Sequence, residues 1–142
     1  SLIAPLGSVY QAGTLSGNPI ATAAGLATLR FLRKNKDNVY AEIEQKAKKL
    51  EDAYRKAGVA VNRVGSLLSP FFTKKSPTGF SDVKQCDLQK FAKYFGRMLG
   101  RGNYVAPSQF EAMFVSFAHT DEHIGKTCKD IAEACAELGF DR

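Results

Sequence analysis

Apolar residues recur along this chain with two different periods, and the switches between them mark out its elements. Over residues 19–33 the apolar positions Ile20, Ala21, Ala23, Ala24, Leu26, Ala27, Leu29, Phe31 and Leu32 cover most sides of a helix. That breadth predicts a helix buried against several neighbours, with Gly25 as a close-packing position. Asn18 supplies an N-cap and Pro19 the first helical position, where a missing N–H costs nothing. The polar run Lys34-Asn35-Lys36-Asp37-Asn38 predicts a break and a subdomain boundary near residue 34. Val39, Ile43, Ala47, Leu50, Tyr54 and Ala57 then return at three- and four-residue spacing among charged neighbours, which predicts a second helix closed by Gly58.

The period shortens after Gly58. Residues 59–64 and 67–73 read as short strands joined at Gly65-Ser66, and Pro70, which cannot donate to a ladder, predicts an edge or a bulge. Residues 74–86 carry Pro77 and Gly79 and read as a loop. A third helix is expected from an Asp87 cap, with Leu88, Phe91, Ala92, Phe95 and Leu99 facing inward and Gly100 and Gly102 ending it. Residues 104–107 and 114–118 read as two more short strands around the polar insertion Ser108-Gln109-Phe110-Glu111. The last helix starts at Thr120 and should bury Ile124, Cys128, Ile131, Cys135 and Leu138 before Gly139. The sum is an α+β pattern, helices packed on a small mixed or antiparallel sheet.

Composition narrows the class. The chain has 142 residues, 44% apolar and 24% charged, which fits a soluble globular domain and argues against disorder. No apolar run is long enough to span a bilayer, so no membrane association is expected. No basic-then-apolar leader opens the sequence, and a start without methionine reads as a cut from something longer. The net charge is +6, but the densest basic stretch, residues 46–56, is interrupted by Glu51 and Asp52. A solvated helix face explains it, since a nucleic-acid stripe concentrates one sign of charge. The competing reading, a basic α+β module for nucleic acid or other anions, would require salt-dependent binding. Three cysteines without a C-x-x-C pair point to reduced thiols and a cytoplasmic location.

Candidate chemistry is concentrated in two stretches. In Tyr10-Gln11-Ala12-Gly13-Thr14-Leu15-Ser16-Gly17-Asn18-Pro19 two glycines and two hydroxyls run into a helix start, where free N–H groups and the positive dipole end can seat an anion such as phosphate. An ordinary capped loop is the alternative, and a P-loop is excluded because no G-K-[S/T] triplet follows. Glu111, between Phe110 and Ala112-Met113-Phe114, either needs a partner or cleft or is a loop carboxylate facing water. His119 and His123 have the spacing of two ligands on one helix face, but the order is not that of a zinc protease and a third ligand is missing. They read as surface histidines, with no metal site expected. Core packing accounts for Cys128 and Cys135.

The stretches Val9-Tyr10-Gln11-Ala12-Gly13-Thr14-Leu15-Ser16-Gly17-Asn18-Pro19 and Ala106-Pro107-Ser108-Gln109-Phe110-Glu111-Ala112 together resemble the glutamate-1-semialdehyde 2,1-aminomutases, a family of class III pyridoxal-phosphate aminotransferases. The resemblance continues through Gly65-Ser66, Phe71-Phe72-Thr73 and residues 91–95. It implies the C-terminal part of a fold type I transferase, with residues 1–34 ending the large cofactor domain and residues 35–142 forming the small domain. The Schiff-base lysine, the aspartate facing the pyridine nitrogen and the ring-stacking aromatic would all lie upstream of Ser1. The chain would then hold no catalytic residue and be inactive alone.

By the same resemblance Gly13 and Thr14 contact the phosphate of pyridoxal or pyridoxamine 5'-phosphate held by the second subunit of a homodimer. Glu111 would lie beside the amino groups of a small amino-aldehyde substrate. The family reaction moves an amino group within glutamate 1-semialdehyde to give 5-aminolevulinate, a tetrapyrrole precursor. Many class III aminotransferases carry a substrate-binding arginine in the late strand, and Phe114-Val115-Ser116-Phe117-Ala118-His119 has none, which resembles the aminomutases. Another class III aminotransferase is the runner-up. Pro70 and Asn103 depart from the family pattern.

Overall fold

The computed structural model describes residues 2–140. In chain order these form helix α1 (Pro19–Lys56), strands β1 (Ala60–Val64) and β2 (Leu67–Phe71), a short helix α2 (Phe80–Val83), helix α3 (Leu88–Gly100), strand β3 (Met113–Phe114) and helix α4 (Asp121–Glu137). Two compact units divide between Lys36 and Asp37, inside α1.

The first unit opens with a tight loop in which Ile3 and Val9 form a parallel bridge. A Cβ at Gly7 would stand 2.2 Å from the Leu2 carbonyl oxygen, so the loop closes this tightly only on glycine. Two successive turns follow: the Ser16 N–H donates to the Gly13 carbonyl (2.9 Å) and the Asn18 N–H to the Leu15 carbonyl (3.0 Å). Gly17 sits between them at φ +76°, a conformation that side chains resist. The Asn18 side chain then accepts the Ala21 N–H at 3.0 Å, the expected N-cap.

One expectation for this helix fails. No break falls at residues 34–38, because α1 runs unbroken for 38 residues. The polar run contains neither glycine nor proline, each of its residues costs a helix at most about 0.7 kcal/mol, and Asn35 Nδ2 donates back to the Phe31 carbonyl at 2.8 Å. Within this chain the first half of α1 is exposed, Ile20 at 80% and Leu29 at 66%, and the buried residues of α1 begin at Val39.

The second unit holds the core. Ala47, Leu50 and Tyr54 of α1 pack with Val59, Val61, Leu68 and Phe72 of the hairpin, Phe91, Tyr94 and Met98 of α3, and Ile124, Ile131, Ala134 and Cys135 of α4. Gly58, at φ +75°, ends α1 as its sequence position predicts. β1 and β2 form an antiparallel hairpin from Ala60 opposite Phe71 to Val64 opposite Leu67. β3 pairs antiparallel with β2 at Leu67 and Leu68 only, so the sheet is antiparallel throughout in the order β1-β2-β3. Pro70 thus lies in the middle strand but past the end of β3, where one side of β2 is an edge.

Residues 104–107 are not a strand, and the strand expected at 114–118 shrinks to Met113–Phe114. Val115 donates instead to the Ser66 carbonyl at 3.0 Å, and a turn brings the His119 N–H to the Ser116 carbonyl at 3.2 Å. The loop of residues 74–86 contains α2, preceded by a tie in which Asp82 accepts both the backbone N–H and the hydroxyl of Thr78. Asp87 caps α3 by accepting the Lys90 N–H at 2.8 Å. The buried face of α3 is Phe91, Tyr94 and Met98, turned from the expected one, which leaves Ala92 and Leu99 exposed. Thr120 caps α4, and Ile124, Ile131 and Cys135 are buried as expected, with Cys128 and Leu138 half-buried. No helix of the described residues is long and apolar enough to cross a membrane.

Candidate functional site

The first candidate lies in the turn before α1. Thr14 and Ser16 are exposed, and among the described residues the backbone amides of Thr14 and Leu15 donate to no protein group. A Cβ at Gly13 would stand 2.2 Å from Ser16 Oγ, so glycine there is what leaves the hydroxyl room. Two hydroxyls, two unpaired amides and the positive end of a long helix therefore share one turn, a donor set suited to a phosphate group.

The second candidate is built on residues 107–112 of the other unit. Ser108 shapes this turn: its carbonyl accepts the Glu111 N–H at 3.1 Å and its hydroxyl the Phe110 N–H at 3.2 Å. Ser69 of β2 adds a long tie, its hydroxyl 3.4 Å from the Glu111 carbonyl. The Glu111 side chain is exposed, and the residue lines a cleft of about 540 Å³. Leu50, Tyr54, Leu68 and Ile124 give that cleft an apolar floor, while Glu111, His119, His123 and Lys126 give it a polar rim. Glu111 combines features of both alternatives, a carboxylate that faces water and lines a cleft.

One wall of the cleft is fixed by a polar network that the sequence did not announce. Asp130, 7% exposed, accepts from Asn103 Nδ2 at 2.6 Å and from Lys126 Nζ at 2.5 Å, and Lys126 Nζ also reaches the Arg101 carbonyl at 2.6 Å. The Thr127 hydroxyl donates to Asn103 Oδ1 at 2.8 Å. Lys126 above all, and then Asn103, hold the Asp130 carboxyl below the usual range, against the opposing effect of burial. Asn103 is therefore the link between the chain after α3 and α4. A buried carboxylate at the fourth residue after a lysine is the signal that marks such a pair.

The histidines serve the start of α4. His119 Nδ1 accepts the Ser116 N–H at 3.0 Å, and His123 Nδ1 accepts the Thr120 N–H at 3.3 Å in a capping box. Among the described residues no group of three or more histidine, cysteine, aspartate or glutamate side chains could hold a metal ion. Cys86, Cys128 and Cys135 are free thiols. Gly13 and Thr14 lie in the first unit and Glu111 in the second.

No protein-family model matches the chain. Curated relatives do. It is 50% identical over 139 residues to the glutamate-1-semialdehyde 2,1-aminomutase of Persephonella marina, covering 94% of this chain and 32% of that protein. It is 53% identical over 133 residues to the enzyme of that name from Chlorobaculum tepidum, covering 89% and 30%. The Clostridium novyi enzyme of that name is 47% identical over 142 residues, covering 96% and 33%. Among solved structures, an omega-transaminase from Sphaerobacter thermophilus aligns with a TM-score of 0.67 at 19% identity, over 96% of this chain and 32% of that one. A transaminase with PLP bound aligns at 0.65 and 18%, over 93% and 30%. The chain thus spans about a third of the length of the relatives it matches. The resemblance drawn from the two stretches is borne out by the sequence relatives, and the transferase fold by the structural ones.

Proposed function

We propose that this chain is the C-terminal part of a glutamate-1-semialdehyde 2,1-aminomutase, a cytoplasmic homodimeric enzyme that forms 5-aminolevulinate for tetrapyrrole synthesis. The observation that carries the reading is the 50% identity to a curated aminomutase across 94% of the chain. The arginine-free segment after Met113 favours the aminomutase over other class III aminotransferases.

The turn before α1 fits the phosphate of pyridoxal phosphate: the Thr14 hydroxyl and the Thr14 and Leu15 amides donate, and Gly13 keeps the approach open. In the homodimer this turn serves the cofactor of the partner subunit. When bound, pyridoxal phosphate supplies the electron sink for moving the amino group. Glu111, exposed at the cleft rim, would attract and orient the amino groups of the amino-aldehyde substrate. The apolar floor of the cleft would limit water beside it.

The Schiff-base lysine lies in this reading outside the chain, so the 142-residue chain has no turnover of its own. Formation of 5-aminolevulinate by the chain with cofactor and substrate would overturn that part. In the complete enzyme, Thr14→Ala should weaken cofactor retention about tenfold or more, since a hydrogen bond to a charged group contributes about 1.5–3 kcal/mol. Equilibrium dialysis of the cofactor measures it, and an unchanged dissociation constant would refute the phosphate role. A strict need for an external keto acid would reassign the reaction to a transaminase.

A further inference from the structure

We propose that Gln109 is a positioning residue for Glu111, holding the Glu111 turn to β2 by an amide tether that substitutes for a missing sheet strand. The proposal rests on the reading of Glu111 as the substrate-side carboxylate. Gln109 is 4% exposed in a turn whose next two residues are exposed. Its Nε2 donates to the Pro70 carbonyl at 2.8 Å. β3 pairs with β2 only at Leu67 and Leu68, so no strand N–H reaches Pro70 on that side. The glutamine amide supplies the donor that a longer β3 would have supplied.

The rest of the turn transmits that anchor to the carboxylate. Between Ser108 and Glu111 the backbone is closed by the Glu111 N–H on the Ser108 carbonyl, and Phe110 is held by the Ser108 hydroxyl. The Phe110 ring rests on Phe80 with centroids 5.7 Å apart, and the Ser69 hydroxyl lies against the Glu111 carbonyl. Fixing residue 109 therefore fixes residue 111. Space filling alone does not account for the glutamine, because its Oε1 is buried without a hydrogen-bond partner among the described residues. A methionine would fill the same space without that cost.

Two measurements test this. In the 142-residue chain, Gln109→Met should speed hydrogen exchange at the Phe110 and Glu111 amides about fivefold, the weight of one amide hydrogen bond, with core amides unchanged. In the complete enzyme, the same variant should lower kcat about tenfold with little change in KM, and should cause no further loss in a Glu111→Gln background. Unchanged exchange, unchanged kcat, or a loss that multiplies with that of Glu111→Gln would overturn the positioning role while leaving the role of Glu111 intact. Full turnover by Glu111→Gln would instead remove the role of Glu111, and that of Gln109 with it. Gln109→Leu, which also removes the amide donor without adding a charge, repeats both measurements should the methionine variant fail to fold.

Discussion

Glu51 is where a single charge joins α1 to the β1–β2 hairpin, and Glu51→Gln should cost this chain about 2 kcal/mol of stability. Its Oε1 accepts from Arg55 Nε at 3.0 Å and Nη2 at 2.8 Å, and its Oε2 accepts from Arg63 Nε at 2.7 Å. Arg63 also donates to the Gly65 carbonyl at 2.7 Å, so the guanidinium bridges helix and hairpin turn. The side chains of Glu51 and Arg63 are only 12% and 16% exposed, which places the pair well above an ordinary surface ion pair. A glutamine keeps the shape but presents an NH2 group to one guanidinium. Each charge-assisted bond contributes about 1.5–3 kcal/mol, and partial solvent access brings the net loss to about 2. For a chain of this size that is a fall in Tm of about 8 °C.

The pH dependence separates this cause from general damage. Arg63 holds the Glu51 carboxyl below its ordinary range, burial opposes it, and Arg55 adds to the lowering. A carboxyl with a depressed folded pKa contributes stability that is full above its unfolded value of about 4.3 and is lost as pH falls through the folded value. Urea unfolding of the two proteins should therefore differ by about 2 kcal/mol at about pH 7, and the difference should shrink progressively as pH falls below about 4.3. A difference under about 0.5 kcal/mol at neutral pH, or one that grows on acidification, would refute the reasoning.

Two further outcomes follow from groups elsewhere in the second unit. Burial pushes the hydroxyls of Tyr54 and Tyr94 up, and the two share a hydrogen bond of 2.5 Å. Their contribution to stability is present below the unfolded value of about 10 and is lost as pH rises, so both phenols should ionise only as the fold opens in an ultraviolet titration, and reversible ionisation of either in the folded chain would contradict the structure. Asp87→Ala removes the acceptor for the Lys90 N–H at the start of α3 and should cost about 1 kcal/mol in thermal or urea unfolding, a result that an unchanged midpoint would overturn.

The helix ends were legible because their signals are local. Asn18, Asp87 and Thr120 each accept an N–H three residues ahead, and Gly58 takes the left-handed conformation that its position demands. What failed was inference across elements. Residues 34–38 looked like a break because they are polar, but polarity reports exposure and not helix ending, and α1 passes through them exposed. The inward face of α3 was misjudged because local spacing does not show the buried partner of Tyr94, the hydroxyl of Tyr54, 40 positions away. The strand expected at residues 104–107 had the apolar residues of a strand but no neighbour to pair with.

The same distinction divides the candidate sites. Gly13 and Thr14 were visible because a glycine, two hydroxyls and a helix start are contiguous, and Glu111 was visible as a carboxylate set among apolar residues. Gln109 was not, although it lies in the same polar insertion, two residues before Glu111. Its importance depends on where β3 stops: only once pairing is seen to end at Leu68 does the Pro70 carbonyl lack a strand partner and the Gln109 amide become its donor. Pro70 explains the arrangement from the other side. A proline in the middle strand of a sheet needs a place where no neighbour asks for its N–H, and the short β3 provides that edge. The proline expected at an edge or a bulge and the glutamine of the polar insertion are therefore one device, and it fixes the backbone that carries Glu111.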